Sequence, residues 1–164
     1  MSLVQKYLAP SDYSPEETWR LVEWCRGLGA DEFTIDCLGT DAGTVAPRWR
    51  TFGTLVNPFT REKKIRERMS GRTASDLTRL TELWELNDTT LGALKQALTG
   101  GLLGYDPRDE GSFEDPVIYR DGQLFLGVLS HEAFAVLRLS DSESHEFSEA
   151  GFPGHDSLPR VGRL

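Results

Sequence analysis

Hydrophobic and polar positions first follow a helical period and then a strand period. Ser14 and Glu17 have the spacing of a capping box, and Val22 and Cys25 then lie on one stripe of a helix. Over residues 32–38 the apolar side chains occupy every second position, which is the period of a half-buried strand. The sequence therefore predicts a helix followed by a strand near the N-terminus.

The middle of the chain alternates between irregular and helical patterns. Glycine and proline recur through residues 39–59, so an irregular segment with one short strand near 49–56 is predicted. Three helices are predicted to follow, over 60–69, from Ser75 or Thr73 to about 84, and over 88–98, because the leucines of the last two recur at spacings of three and four. Their short connection predicts a helical hairpin.

The strongest strand signal lies in the C-terminal third. Val117–Arg120 and Gln123–Leu129 flank Asp121-Gly122, a dipeptide typical of a tight type I′ hairpin turn. A second reversal at 130–132 leads into a third apolar run and predicts a meander. Residues 124–129 are apolar at both parities, as expected of a strand covered on both faces. We expect this strand to be central in the sheet.

These elements predict an α+β fold. In it, a C-terminal antiparallel β-meander, joined by the 32–38 strand, packs against several helices, among them the helical hairpin. Ser140 and Glu143 repeat the capping-box spacing and predict a short helix to about residue 150. We predict one domain over residues 1–150 and an extended or disordered tail over 151–164, where glycine and proline recur.

Composition narrows the class of protein. The 164 residues are 38% hydrophobic and 27% charged, as in ordinary globular proteins. No apolar run approaches the roughly 18 residues that span a bilayer, and the first ten residues lack the pattern of a secretory leader. Cys25 and Cys37 fall on apolar stripes and are expected to be core thiols. The expected location is the cytoplasm, without membrane contact.

Charge is segregated along the chain. The net charge is −8, yet residues 48–80 carry nine Lys and Arg against three Asp and Glu, whereas residues 1–47 carry three against eight. Two interpretations are open: the basic segment contacts an anionic partner, or it matches acidic neighbours within the fold. Within the segment, 61–72 is either a binding face or a solvated helix with internal pairs.

No motif predicts a cofactor or a metal ion. The acidic stretch 106–115 resembles a calcium loop only in part, because Arg108 and Val117 stand where acidic ligands are needed. His145 and His155 lie ten residues apart, a spacing that fits no zinc pattern. The glycines after the 32–38 strand do not open a helix, as a phosphate-binding loop requires. The sequence assigns no catalytic residue and no oligomeric state.

The leading hypothesis is a non-enzymatic cytosolic protein-interaction module, such as an adaptor, an inhibitor or an immunity-type protein. Steered association with a protein partner suits segregated charge, and Trp and Arg dominate interface hot spots. A nucleic-acid partner is disfavoured, because the chain is acidic and shows no pattern of stacking aromatics. For Trp49 and Phe52, core packing is the competing interpretation. The candidate contact residues are Arg48, Trp49, Arg50, Phe52, Lys63 and Lys64.

The alternative hypothesis is a small enzyme or small-molecule-binding domain. Its pocket would lie between the sheet and residues 39–59, with polar side chains supplied by Asp36, Asp41, His131 and Glu132. An enclosed pocket on which His131 and a carboxylate converge would favour this alternative. A His131 side chain free in solvent would weaken it.

Overall fold

One antiparallel sheet runs through the part of the chain that is described. A computed structural model describes residues 3–37, 47–70, 73–104 and 113–158, with side chains for all of these except 37, 69–70 and 73–80. Its seven strands are β1 (Val4–Leu8), β2 (Glu32–Cys37), β3 (Thr60–Ser70), β4 (Thr73–Glu85), β5 (Phe113–Arg120), β6 (Gln123–Leu129) and β7 (Phe134–Leu139). They lie in the order β1-β7-β6-β5-β2-β4-β3. The helices are α1 (Pro15–Gly27), α2 (Pro47–Val56), α3 (Asp88–Ala97) and α4 (Asp141–Glu149). The α+β class is confirmed.

Local capping signals place three of the helices. Before α1, the Ser14 hydroxyl accepts from the Glu17 N–H at 3.3 Å, and the Glu17 carboxylate accepts from the Ser14 N–H at 2.7 Å. Ser140 and Glu143 form the same capping box before α4. Before α3 the cap is Asn87 rather than the neighbouring aspartate. These side chains satisfy amide groups that a helix start leaves without partners.

Helix α2 corrects the prediction of an irregular segment with a short strand near 49–56. Pro47 begins the helix, where its missing N–H costs nothing. Trp49, Phe52 and Val56 recur at helical spacing, and all three pack into the core. Gly53 lies within the helix and does not break it, because the buried aromatic face outweighs the weak helix propensity of one glycine.

The two helices predicted over 60–69 and 75–84 are wrong, and with them the helical hairpin. Strands β3 and β4 form a long antiparallel hairpin there, with register shifts between Arg61 and Lys64 and between Glu67 and Met69. The first shift inserts one extra residue into β3 and the second inserts two into β4, so the side chains of β3 do not alternate regularly past the first shift. Because residues 60–84 lack clear alternation and their leucines recur at helical spacing, the local pattern favours a helix. Tertiary contacts make this segment a pair of strands instead.

The predicted meander is present as β5, β6 and β7. Asp121 and Gly122 both have positive φ, 50° and 72°, as the tight turn between β5 and β6 requires. All residues of β6 after Gln123 are buried, so this strand is covered on both faces. The middle position in the sheet belongs to β5, because β2, β4 and β3 extend the sheet beyond it.

The sheet has an apolar core on each face. The helices cover one face, where the larger core includes Leu21, Leu94 and Leu126. The other face carries a smaller core of Val117, Tyr119, Leu124, Phe134 and their neighbours. Strand β3 crosses this second face, and the Tyr119 hydroxyl donates a 3.0 Å hydrogen bond to the backbone carbonyl of Glu67. The second core is thus covered by a strand rather than by helices.

The beginning of the predicted tail is extended and contacts strand β1. His155 and Tyr7 exchange two backbone hydrogen bonds, of 2.8 and 2.9 Å. Phe152 is buried against the helices, and the Lys6 ammonium lies 2.6 Å from the Asp156 carboxylate. Residues 159–164 lie outside the described part of the chain. The division into a domain over 1–150 and a tail stays a prediction.

Candidate interaction surface

The arginines of strand β3 point inward and pair with acids of β2 and the residue before it. Arg61 donates to the carboxylates of Asp31 at 3.1 Å and Glu32 at 2.9 Å. Arg66 donates to the second oxygen of Glu32 at 3.0 Å. Arg68 donates to Asp36 at 2.6 Å. Much of the positive charge in the basic segment is therefore matched within the fold.

Glu32 is the centre of this network. Its side chain is only 4% exposed and accepts hydrogen bonds from Arg61 and Arg66 on its two oxygens. Burial by itself would raise the pKa of Glu32, but the hydrogen bonds and charges of the two arginines outweigh burial and lower that pKa below its ordinary value. Glu32 is therefore held as a carboxylate. It connects β2 to β3 through side chains, since these two strands are not neighbours in the sheet.

Further polar contacts hold the later part of β3 across the sheet. Arg68 is 3% exposed and also donates to the Thr34 hydroxyl at 3.2 Å. Arg138 of β7 forms a two-pronged pair with Glu67, at 2.6 and 2.7 Å. Such paired contacts fix orientation as well as charge. Strand β3 is thereby tied to both β2 and β7.

Residues 62–65 of β3 face solvent, in contrast to the paired arginines of the same strand, and we call them the exposed cationic segment. All four residues are exposed, and Ile65 reaches 68% exposure, which is unusual for a large apolar side chain in a strand. Lys63 and Lys64 form no hydrogen bond or ion pair with the residues that the structure describes. The segment combines two lysines and one glutamate, Glu62, with an apolar side chain at the free edge of the sheet.

The candidate contact residues of α2 divide between core and surface. Phe52 is 2% exposed, so the structure corrects its assignment as a surface contact. Trp49 is half-buried and packs against Phe52, with ring centroids 5.7 Å apart. Arg48 donates to the carbonyl of Ala97 at 3.1 Å. Arg50 is exposed and remains a surface candidate.

The alternative site is only partly assembled. Asp36 lies opposite Glu114 in the β2–β5 register, and His131 Nε2 lies 2.5 Å from Glu114 Oε2. Glu132 follows in the same turn, half-buried, whereas Asp41 lies outside the described residues. A cavity that borders α2 lies between α2 and α3, not between α2 and the sheet.

Glu114 is the residue of this cluster that sequence reasoning missed. Burial raises the pKa of Glu114 above its ordinary value, the neighbouring Asp115 charge adds to this, and contact with His131 opposes it. The sequence signal was the apolar Phe113, four positions before the strand predicted from Val117, but the acidic residues around Phe113 obscured the earlier start of β5. His131 is 60% exposed and borders an open groove.

Comparisons with known proteins give no relative. No protein-family model, no curated protein and no solved structure matches the chain. Among the residues with a described position, no set of three or more His, Cys, Asp and Glu is arranged to hold a metal ion. None of the helices described is both long and apolar enough to cross a bilayer.

Proposed function

We propose that the chain is a non-enzymatic protein-interaction module of the cytoplasm, of the adaptor, inhibitor or immunity type. One observation carries the proposal: the basic residues of β3 are sorted by position. Arg61, Arg66 and Arg68 pair with acids of the fold, whereas Lys63 and Lys64, which precede the strongly exposed Ile65, form no pair among the described residues. Internal charge matching explains the arginines but leaves the lysines without a structural role.

The exposed cationic segment has the chemistry of a contact surface for an acidic protein. An apolar side chain supplies area removed from water on binding, and the two lysines before it select an acidic partner surface and raise the association rate. The rest of the chain is strongly acidic, so it repels an acidic partner except at this segment. The partner is therefore oriented toward β3 as it approaches.

The edge position of the segment argues for recognition through side chains. Strand β3 ends the sheet, and one of its two register shifts lies at Arg61–Lys64. A bulge and lysines at an edge disfavour the addition of another strand. The proposed partner therefore binds the side chains of residues 62–65 and does not extend the sheet.

Charge reversal of both lysines is expected to abolish partner capture. The K63E/K64E variant, immobilised in lysate of the source cells, should retain less than about a tenth of the partner that wild type retains, because like charges then face each other. Its unfolding free energy should stay within about 0.5 kcal/mol of wild type, since both side chains are exposed. Bound proteins are quantified by mass spectrometry.

The matched control for this experiment is R20E/K95E. It makes the same change in net charge at exposed cations of α1 and α3, and its unfolding free energy is measured as well, because Arg20 lies over the Phe152 ring and Lys95 lies 3.6 Å from Glu23. Retention of one stoichiometric protein by wild type and by this control, together with its loss from K63E/K64E, supports the proposal. Equal loss from both variants means that only net charge matters, and equal retention by all three contradicts the proposed surface.

A second candidate function is small-molecule binding or catalysis at the β5 end near His131. The observation that favours it is the contact between His131 and Glu114, a carboxylate whose pKa burial raises, at the border of an open groove. Perturbed groups that meet in a cleft mark functional sites more often than chance. A metabolite from a thermal-shift screen should then raise the melting temperature of wild type but not of H131A. A metabolite that stabilises both proteins equally would exclude this site.

A further inference from the structure

The C-terminal segment 152–158 wraps around the edge strand β1, and we call it the C-terminal strap. Phe152 belongs to the core beneath the helices, where its ring stacks on that of Phe147 at a centroid distance of 5.4 Å. Leu158 packs against the core on the other face of the sheet. The strap thus passes from one face to the other around β1, which ends the sheet. One apolar side chain anchors it on each face.

Between these two anchors, the strap is held by polar contacts near the surface. The Tyr13 hydroxyl donates to the carbonyl of Pro153. The His155 ring lies 2.8 Å from the Asp12 carboxylate and is about half exposed, and Asp156, which pairs with the lysine of β1, is 84% exposed. Exposed ion pairs add little stability. The strap is therefore expected to open at a lower free energy than the whole fold.

The strap occupies the outer hydrogen-bonding groups of β1 at one residue. His155 exchanges two backbone hydrogen bonds with Tyr7, in an isolated bridge. Tyr7 therefore directs its N–H and C=O away from β7. Because this direction alternates along a strand, Gln5 and Leu3 direct theirs to the same outer side. Within the described part of the chain, the outward backbone groups of Gln5 have no partner.

This outer side of β1 is complementary to a second copy of itself. Antiparallel pairing of two copies about Gln5 places Gln5 opposite Gln5 and Leu3 opposite Tyr7, so the outward hydrogen-bonding groups meet in register. Lys6 then faces Val4, and like charges are not placed opposite each other. Leu3, which is 61% exposed, gains the Tyr7 ring of the other copy as an apolar neighbour.

We infer that β1 is a docking edge for a second copy of this chain and that the C-terminal strap closes it. The strap and the second copy require the same N–H and C=O of Tyr7, so they exclude each other. When the strap leaves, two sheets join through their β1 strands, as free sheet edges commonly do. The edge lies at the opposite end of the sheet from β3, and the inference does not depend on the proposed function.

Two variants of the full chain release the strap through different contacts. F152A/H155P removes the anchor on the helical face and one backbone N–H of the bridge. D156K/L158D removes the other anchor and reverses the charge that faces the lysine of β1. At low protein concentration, the Tyr7 amide should exchange with deuterium at least about tenfold faster in these variants than in wild type. Unchanged protection in both variants overturns the inference, because the strap then does not leave β1.

Sedimentation equilibrium of the same proteins measures self-association. We expect wild type to be monomeric and the released variants to dimerise with an association constant at least about tenfold higher. A released variant that associates no more than wild type overturns the inference. A wild type that dimerises as strongly as the released variants does so too, because the strap then closes nothing.

The control adds a second change at the centre of the expected pair. Q5P removes an N–H that points away from β7, so it should leave the β1–β7 ladder intact, as proline does at the outer side of an edge strand. Q5E serves if Q5P does not fold, since it sets like charges opposite each other. Either change should return a released variant to the monomer. Association that both leave unaltered occurs through another surface and contradicts docking at β1.

Discussion

Replacing Glu32 with glutamine is expected to lower the unfolding free energy by about 3 kcal/mol. The substitution keeps the shape of the side chain but removes the charge that neutralises Arg61 and Arg66. Breaking a buried ion pair from one side costs about 3–5 kcal/mol, because the remaining charge stays buried without compensation. Arg61 keeps its contact with Asp31 and is about one-third exposed, which favours the lower end of that range.

Urea denaturation of wild type and E32Q measures this cost directly. The control is E62Q, the same chemical change at an exposed position of β3, which should alter the unfolding free energy by less than about 0.5 kcal/mol. If E32Q is as stable as E62Q, the network around Glu32 does not hold β3 against the sheet.

The pH dependence of E32Q follows from the lowered pKa of Glu32. A group whose pKa falls on folding contributes stability that is fully present above its unfolded pKa, ordinarily about 4.5, and lost as the pH falls through its folded pKa. The difference in stability between wild type and E32Q should therefore be constant above about pH 5 and shrink in more acidic solution. A difference that grows on acidification contradicts the ionised state of Glu32.

Truncation of Phe52 to alanine is expected to cost about 3–5 kcal/mol, as for other fully buried aromatic side chains. The ring contacts Trp49, Trp84 and Phe113, so its removal leaves a cavity at the centre of an aromatic cluster. A surface contact residue would instead leave stability unchanged. Chemical denaturation of F52A thus distinguishes a core role from the contact role that the sequence suggests.

The control for F52A is R50A, two residues earlier on the exposed side of the same helix. It should change the unfolding free energy by less than about 0.5 kcal/mol. A stability loss in R50A comparable to that in F52A would mean that α2 tolerates no substitution, and the comparison would then count against a specific role of the Phe52 ring.

The sequence was most informative where structure depends on neighbouring residues. Ser14 with Glu17 and Ser140 with Glu143 predicted two helix starts, because a capping box needs only four consecutive residues. Asp121-Gly122 likewise predicted the reversal between β5 and β6. These features are local, so no knowledge of the remaining chain is needed to recognise them.

The sequence was misleading where long-range contacts decide the structure. Residues 60–70 form a strand because Arg66 and Arg68 meet acids more than 30 positions earlier, and no local pattern contains those partners. Strand β1 was missed for the same reason, since its ladder is formed with β7 at the far end of the chain. Non-local pairing of this kind overrides local propensity.

The candidate site shows the same division. Segregated charge was visible in the sequence, and its two interpretations apply to different residues: the arginines of β3 match acids within the fold, and the lysines remain for the proposed partner. Counting odd and even positions along β3 could not separate the arginines from the lysines, because a register shift at Arg61–Lys64 interrupts the alternation. The contact between Glu114 and His131 joins residues of two strand ends and required the sheet register.

The dissociation constant of the captured partner tests the central claim most directly. It is measured by calorimetry with purified wild type, K63E/K64E and R20E/K95E at low and at physiological ionic strength. We predict at least about tenfold weaker binding for K63E/K64E only, and a wild-type affinity that falls as salt is added. Affinities equal for wild type and K63E/K64E, and indifferent to salt, would contradict the assignment of residues 62–65 as the partner-binding surface.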